Sequence, residues 1–328
     1  MRIAIVGAGL AGLFVARELQ KAGHDITVFE KSRGRGGRLA SKRFDWAQFD
    51  LGAQYFTAKT SAFRQEIDTW IDAGCAGEWQ FTPYQFDGSR LRCSPDSTIR
   101  YVGQPQMNSI AHHLAQGLRI QLTQRVTAIH KKDALWSIVT EDTEHADFDY
   151  VVLTPPAEQS KALLKDHTIA NAIPAYVHNP CWAVAITTHG EVDPAIQGIF
   201  GDETISWVSR QSAKPGYSQK MPDQDTWVLH FSPAWSAVHG KKHPHAETLK
   251  TANHWLEGAL QTQLTIKDHY LHFWRYANIN TTPFDHPFLL DQKNSIAVVG
   301  AWCAGGKVEG AFVSATRFCQ HMNCYQPG

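Results

Sequence analysis

The chain has 328 residues, 43% apolar, 11% aromatic and 19% charged, which is enough for a real core and too varied for a coiled coil, collagen or a disordered segment. Lys plus Arg and Asp plus Glu each number 31, so the bulk field gives no sequence-independent pull toward nucleic acid or an anionic membrane, and neither is expected as a partner. The six cysteines, Cys75, Cys93, Cys181, Cys303, Cys319 and Cys324, form no C-x-x-C pair and read as reduced thiols, hence a cytoplasmic protein. The uncharged run at 3–16 is broken by glycines and flows into Arg17 and Glu18, unlike a signal peptide. No apolar stretch approaches the roughly 20 residues of a membrane span.

The chain opens on the β-branched run Arg2-Ile3-Ala4-Ile5-Val6, then Gly7-Ala8-Gly9-Leu10-Ala11-Gly12, with Leu13, Val15, Ala16 and Leu19 at helical spacing. Gly23 supplies a helix stop, and Asp25-Ile26-Thr27-Val28-Phe29-Glu30 predicts a second strand ending in a carboxylate. This is the strand, turn, helix and strand of a dinucleotide site. Gly7 allows the tight turn, Gly9 lets a pyrophosphate approach the backbone, and Gly12 lets helix and strand pack closely. Ala11 belongs to the same cofactor-binding turn, and Glu30 is placed to accept from a ribose 2′-hydroxyl. A carboxylate there argues against an adenosine 2′-phosphate. A glycine turn without a ligand is the plain alternative, but all five parts fall in register.

After Glu30 comes Lys31-Ser32-Arg33-Gly34-Arg35-Gly36-Gly37-Arg38. The pattern E-x5-G-G-R resembles the second fingerprint of the flavoprotein amine oxidase superfamily, which implies that Gly36, Gly37 and Arg38 meet the pyrophosphate region of FAD and that Lys31 also binds the cofactor; a solvated basic loop is the plain alternative. Apolar positions from Gly103 to Ile120 predict a helix and a strand, and Arg125-Val126-Thr127-Ala128-Ile129 another strand. That segment is similar to the one whose backbone contacts adenine in the superfamily, here at Val126. Asp149-Tyr150-Val151-Val152-Leu153-Thr154-Pro155-Pro156 resembles the strand and turn that return the chain to the second domain. Near the C-terminus a buried strand runs into Gly300, and Gly305-Gly306-Lys307-Val308-Glu309-Gly310-Ala311 opens a helix. It resembles the superfamily's final FAD motif, G-[DE]…EGA, which implies cofactor contacts at Gly300, Val308 and Gly310 and a helix N-terminus aimed at the flavin. The acid expected after Gly300 is missing. Ala301 and Trp302 stand there, and Trp302 is expected to wall the flavin or the substrate pocket. Cys303 does not fit a thioether position, so FAD is expected to bind non-covalently.

Three further stretches resemble the renalase family within that superfamily: Asp50-Leu51-Gly52-Ala53-Gln54-Tyr55-Phe56-Thr57, Ile205-Ser206-Trp207-Val208-Ser209-Arg210 with Lys214-Pro215-Gly216, and His272-Phe273-Trp274-Arg275-Tyr276-Ala277. The resemblance implies an α/β fold with a Rossmann-like FAD-binding domain (1–50, 101–155 and 286–328). A second, substrate domain (51–100 and 156–285) is built on a mixed or antiparallel sheet, of the p-hydroxybenzoate hydroxylase and amine oxidase type. It implies an FAD-dependent oxidase of the 2- and 6-dihydro isomers of β-NAD(P). Hydride passes to flavin N5 and then electrons to O2, giving NAD(P)+ and hydrogen peroxide.

Hydride loss restores an aromatic pyridinium, so no general base is required and no catalytic side chain is assigned. Gln54, Tyr55 and Phe56 are expected to face the flavin. Phe56, Thr57, Ala58, Lys59 and Thr60, with Pro95, Asp96 and Ser97, are expected near the substrate dinucleotide. Thr187 and Trp207 would line the sheet floor, and Arg275 would pair with a substrate phosphate. Core packing is the alternative for Trp207, and an ion pair with a neighbouring acid for Arg275. His239, His243 and His245 lie in a polar turn broken by Pro244 and lysines, so no metal is expected. The polar stretch 211–225 reads as an exposed loop or lid. Two other readings stay open: a flavin amine oxidase acting on a C–N bond within an aromatic cage, and a non-catalytic escort of the GDP-dissociation-inhibitor type.

Overall fold

A computed structural model describes residues 1–218, 221, 223–279 and 286–324. Residues 219, 220 and 222 of the expected loop, 280–285 at the end of the expected substrate segment and 325–328 at the end of the expected cofactor segment lie outside the described residues. The first elements are β1 (Arg2–Val6), α1 (Leu10–Lys21), β2 (Asp25–Phe29), the hairpin β3 (Ser41–Arg43) and β4 (Gln48–Asp50), and α2 (Ser61–Asp72). Then come the short strands β5 (Ala76–Glu78), β6 (Tyr84–Phe86), β7 (Leu91–Cys93) and β8 (Tyr101–Gly103), followed by α3 (Ser109–Leu114) and β9 (Ile120–Gln121). The middle of the chain holds β10 (Val126–Lys132), β11 (Leu135–Thr140), β12 (Glu144–Phe148), β13 (Tyr150–Leu153), α4 (Ala157–Leu163) and β14 (His178–His189). After these follow β15 (Gly198–Phe200), β16 (Ile205–Arg210), β17 (Asp225–Phe231), α5 (Pro233–His239) and α6 (His245–Leu260). The last elements are β18 (Thr265–Ile279), β19 (Phe288–Asp291), β20 (Ile296–Val299) and α7 (Lys307–His321).

Runs of Val, Ile and Ala buried on both faces make the first sheet, as parallel strands require. Its order is β19-β20-β13-β1-β2-β9, with β1 parallel to both β2 and β13 and only β19 antiparallel. Side-chain alternation sends Ile3, Ile5 and Val152 to the face covered by α1 and α7, where Phe14 and Phe312 meet edge to face at 5.2 Å. Ala4, Val6 and Val151 go to the other face, under Trp136, Ile138 and Phe148 of the β10–β12 sheet.

The second sheet has the order β18-β14-β17-β16-β15-β6-β7 and is antiparallel except where β15 runs parallel to β6. Period-two alternation sorts it too. Trp182, Val184, Ile186, Trp227 and Leu229 pack under Ala252, Trp255 and Leu256 of α6. On the opposite face the small Ala183 and Ala185, with Val228, leave room for Ala47, Phe49 and Leu51 of the β3–β4 hairpin. Packing partners cut across the sequence segments. That hairpin, in the expected cofactor segment 1–50, lies on the second sheet. Helix α2, in the expected substrate segment, packs Phe63, Ile67 and Trp70 into the α1 and α7 core, and Thr60 Oγ1 caps it by accepting from Phe63 N at 3.3 Å. Among the described residues no helix is long and apolar enough to cross a membrane.

Candidate active site

The glycine turn between β1 and α1 is held from below. Thr154, just past β13, donates from Oγ1 to the carbonyls of Val6 (2.8 Å) and Gly7 (3.1 Å). Gly7 has φ +102°, and a side chain there would meet Thr154 Oγ1 at 2.7 Å. A Cβ on Gly12 would lie 2.1 Å from the Gly7 carbonyl oxygen, so helix and turn touch through bare backbone. Gly9 is different: its φ is −77°, and nothing lies within 4 Å of where its Cβ would be. It begins α1 without a side-chain cap, so no side-chain oxygen takes up the first-turn N–H groups. The turn therefore has the shape a pyrophosphate needs.

Glu30 is buried at the end of β2. Its Oε2 accepts from Ala8 N and its Oε1 from Ser32 N, both at 2.8 Å, so it also stitches the glycine turn to the following loop. That loop returns to the turn through Gly36 N, which donates to Ala8 O at 2.8 Å. Arg38 donates to the Ala277 carbonyl at 2.9 Å, and burial presses its pKa down. Lys31 reaches outward to Gln159 at 3.2 Å. Val126 opens β10 close to the end of β2, since Gln124 N donates to Glu30 O at 2.9 Å.

At the other end of the chain, α7 starts after Gly306 with no side-chain cap, and Val308 is half-buried in its first turn. Gly300 N donates to Ser314 Oγ at 2.9 Å, which fixes the approach to α7. A Cβ on Gly310 would stand 2.5 Å from Ala304 O, so this glycine serves close packing rather than an opening. Trp302 is also not where it was expected. It is 1% exposed inside the core that covers the β10–β12 side, and does not wall a cleft.

The loop after β4 carries the expected substrate residues. Glu309, in the first turn of α7, holds this loop by accepting from Lys59 N (3.0 Å), Thr60 N (2.8 Å) and Thr60 Oγ1 (2.8 Å). Thr57 and Ala58 are half-buried just before that clasp. Phe56 turns inward, bridging to Tyr101 with its ring 5.9 Å away, and is core. Tyr55 instead meets Trp207 edge to face at 5.2 Å. Trp207 lies 4.8 Å from Phe200 and 6.4 Å from Phe81. A side chain on Gly198 would come within 2.5 Å of Phe81 and 2.7 Å of Trp207, so the rings can close only over glycine.

Inside these rings sits Arg100, which sequence reasoning missed. Its guanidinium carbon is 5.3, 5.1 and 5.9 Å from the Tyr55, Phe81 and Phe200 ring centres. Asp96 grips it in bidentate fashion at 2.9 and 2.6 Å, and this pairing pulls the Asp96 carboxyl down to about 2. Asp96 itself lies with Pro95 and Ser97 on an exposed loop and reaches the rings only through Arg100.

Gln54 does not turn outward as expected. Its carbonyl oxygen accepts from Ser209 Oγ (2.6 Å), Gln211 Nε2 (2.7 Å) and Lys214 Nζ (3.3 Å), and its amide donates to Asp50 O and Gly52 O. The amide group is saturated within the protein, and a cofactor would meet the backbone of this segment. Lys214 also binds Asp50 Oδ2 at 3.1 Å and lies over the Trp79 ring at 5.5 Å. Lys214 and Asp50 were visible only as parts of a motif; their pairing spans 164 residues.

His230 Nε2 donates to Leu51 O at 2.9 Å behind this network. Burial, reinforced by the Lys214 charge, holds its pKa down at about 4. An unfolded imidazole takes up a proton below about 6.5 that the folded one refuses until about 4, so stability should fall as pH drops through that window. His230→Gln should flatten this part of the urea-midpoint profile; an unchanged slope would assign the dependence elsewhere.

Thr187 and Arg275 are likewise not brought to the rings. Thr187 is buried within the sheet, its hydroxyl accepting from Asp268 N at 3.1 Å. Arg275 is exposed on β18, between Trp274, whose Nε1 donates to Leu51 O, and Tyr276, whose ring packs on His178. Period-two alternation turns Arg275 away from both of these neighbours.

A Rossmann-like sheet with an uncapped helix over a glycine turn, joined to a ring-lined mixed sheet, is the architecture of a dinucleotide-binding protein. Residues 5–67 match the NAD(P)-binding Rossmann-like domain, and residues 79–323 match the model of the flavin containing amine oxidoreductases. The chain belongs to the flavin containing amine oxidoreductase family. It is 27% identical to renalase of Mus musculus over 173 residues, half of each chain. It is 42% identical over 52 residues to a 4,4'-diapophytoene desaturase of Staphylococcus aureus, 16% of this chain and 10% of that one. The matched stretches therefore span half or less of these relatives. Among solved structures, putrescine oxidase bound to putrescine superposes with a TM-score of 0.73 at 12% identity, covering 99% of this chain and 100% of that one. An oxidoreductase from Methanosarcina mazei gives 0.64 at 14% identity, covering 98% and 100%. These likenesses show the fold.

Proposed function

We propose that the protein is an FAD-dependent oxidase of the 2- and 6-dihydro isomers of β-NAD(P), forming NAD(P)+ and hydrogen peroxide. The observation that carries this reading is the group of rings Tyr55, Phe81, Phe200 and Trp207, closed around Arg100. A dihydropyridine needs a flat surface and a fixed orientation to lose hydride, and no base, because the product is an aromatic pyridinium. The titratable groups beside the rings are already engaged: Lys214 and Asp50 hold Gln54, and His230 holds Leu51. An ammonium seeking an aromatic cage would have to displace a guanidinium tethered by Asp96, which weighs against an amine.

The residues fit FAD. The Gly7 to Gly12 turn and the start of α1 would take the pyrophosphate, Glu30 the adenosine ribose, Val126 the adenine, and Gly36, Gly37 and Arg38 the linkage beyond. The uncapped start of α7 would face the ring system. When bound, FAD supplies the two-electron acceptor that dioxygen reoxidises. Cys303, just before α7, is 1% exposed and burial pushes its thiol up to about 12, which supports non-covalent attachment. Six free thiols suit a reducing, cytoplasmic setting.

The test is anaerobic. Purified yellow protein is mixed with NAD reduced non-selectively by borohydride, with ordinary 4-dihydro NADH, and with simple monoamines. Rapid bleaching by the isomer mixture alone, reversed by air, is expected. Bleaching by an amine would replace the proposal with a C–N oxidase, and a flavin silent to all three would overturn it.

A further inference from the structure

We propose that Arg100 and Trp207 form a paired donor clamp for an acceptor oxygen of the substrate, a proposal that rests on reading this site as one for a dihydronicotinamide. Both are buried, at 4% and 8% exposure, and each keeps a donor with no partner among the described residues: Nε of Arg100 and Nε1 of Trp207. A buried donor left unpaired forfeits the hydrogen bonds it had in water, so folds retain few of them. Here two share one set of walls. Arg100 lies over Tyr55, Phe81 and Phe200, and Trp207 packs against the same three rings.

The rest of Arg100 is spoken for. Its Nη groups bind Asp96 and the Thr98 carbonyl, and the Tyr55 hydroxyl also bonds the guanidinium, which together fix its plane; Nε is the buried nitrogen left without a partner. Gly198 fixes the Trp207 ring against Phe81 in the same way, by leaving no atom between them and β15. Two oriented donors ask for an acceptor. An ammonium has three donors and no acceptor and leaves both unpaired, whereas a carboxamide or phosphate oxygen satisfies them. The clamp thus selects dihydronicotinamides over protonated amines through hydrogen-bond polarity, independently of ring size.

Carboxamide and phosphate oxygens are separated by probe choice. The flavin-loaded protein is titrated with nicotinamide riboside, which has the carboxamide and no phosphate, nicotinamide mononucleotide, which has both, and 1-methylpyridinium, which has neither. Tryptophan fluorescence and the visible flavin spectrum report binding, and flavin content is checked for each variant. Arg100→Lys removes the Nε donor and keeps the charge; Trp207→Phe keeps a ring and removes the N–H. Each is expected to weaken binding about 3–10-fold against a neutral acceptor and about 10–100-fold against a phosphate, with 1-methylpyridinium unaffected. Equal losses for riboside and mononucleotide identify the carboxamide, and a loss for the mononucleotide alone identifies the phosphate; either supports the clamp. It is overturned if the wild type binds neither nicotinamide probe, if both variants bind them as the wild type does, or if 1-methylpyridinium weakens in parallel. Loss of the oxidase reading shows separately, as a wild-type flavin that the dihydro isomers fail to bleach while the clamp still distinguishes the probes.

Discussion

Replacing Lys214 with methionine is expected to destabilise the protein by about 3–5 kcal/mol, the range found when one partner of a buried ion pair is removed. The side chains of Lys214 and Asp50 are each 6% exposed, with Nζ and Oδ2 3.1 Å apart. Burial pushes the Lys214 pKa down and the Asp50 carboxylate draws it back. Without the ammonium, Oδ1 of Asp50 would still accept from Ser41 Oγ (2.7 Å) and Met107 N (3.0 Å), but Oδ2 would keep a buried charge uncompensated. Lys214→Met combined with Asp50→Asn should therefore recover much of the loss, a coupling that a double-mutant cycle in urea measures. A single-variant loss below about 1 kcal/mol would mean that water reaches the pair. The consequence runs to the site, because Lys214 also holds the Gln54 carbonyl and Tyr55, the next residue, is the first ring of the Arg100 cage.

The beginning of the chain is legible in the sequence because its physics is local. Gly7, Gly9, Gly12 and Glu30 act on one another within thirty residues, and the steric reasons for each glycine hold whatever the rest of the fold does. The mixed second sheet was expected from resemblance, but its faces follow from alternation that only pairing reveals. Arg275 was chosen for its residue type, and the β18 register points it to solvent. Arg100 shows the opposite failure. It stands between Ile99 and Tyr101 with no periodic signal, and the rings that enclose it come from positions 55, 81 and 200. A lone arginine before a short apolar strand was the available hint. Gln54 was expected to face a ligand, and the partners that turn it inward, Ser209, Gln211 and Lys214, are more than 150 residues away.

Gly9→Ala and Gly12→Ala, three residues apart in one motif, are expected to fail in different ways. A methyl on Gly12 would stand 2.1 Å from the Gly7 oxygen and 2.8 Å from Thr154 Oγ1. The first is backbone tied into the β1 turn, so α1 must move off the sheet, with a loss of about 3 kcal/mol or more in the flavin-stripped protein. A methyl on Gly9 meets no protein atom within 4 Å and sits at an ordinary φ of −77°. Its effect on the stripped protein should stay under about 1 kcal/mol, the scale of an N-cap change. Yet that methyl enters the space over the first turn of α1, and flavin content, read from the ratio of visible to ultraviolet absorbance, should fall below about a tenth of wild type, since the helix N-terminus can no longer be approached by a phosphate. A Gly9→Ala protein that stays fully yellow would show that the pyrophosphate does not cross this turn, even with the fold intact. A Gly12→Ala protein of unchanged stability would show that the close contact between α1 and the turn relaxes at little cost.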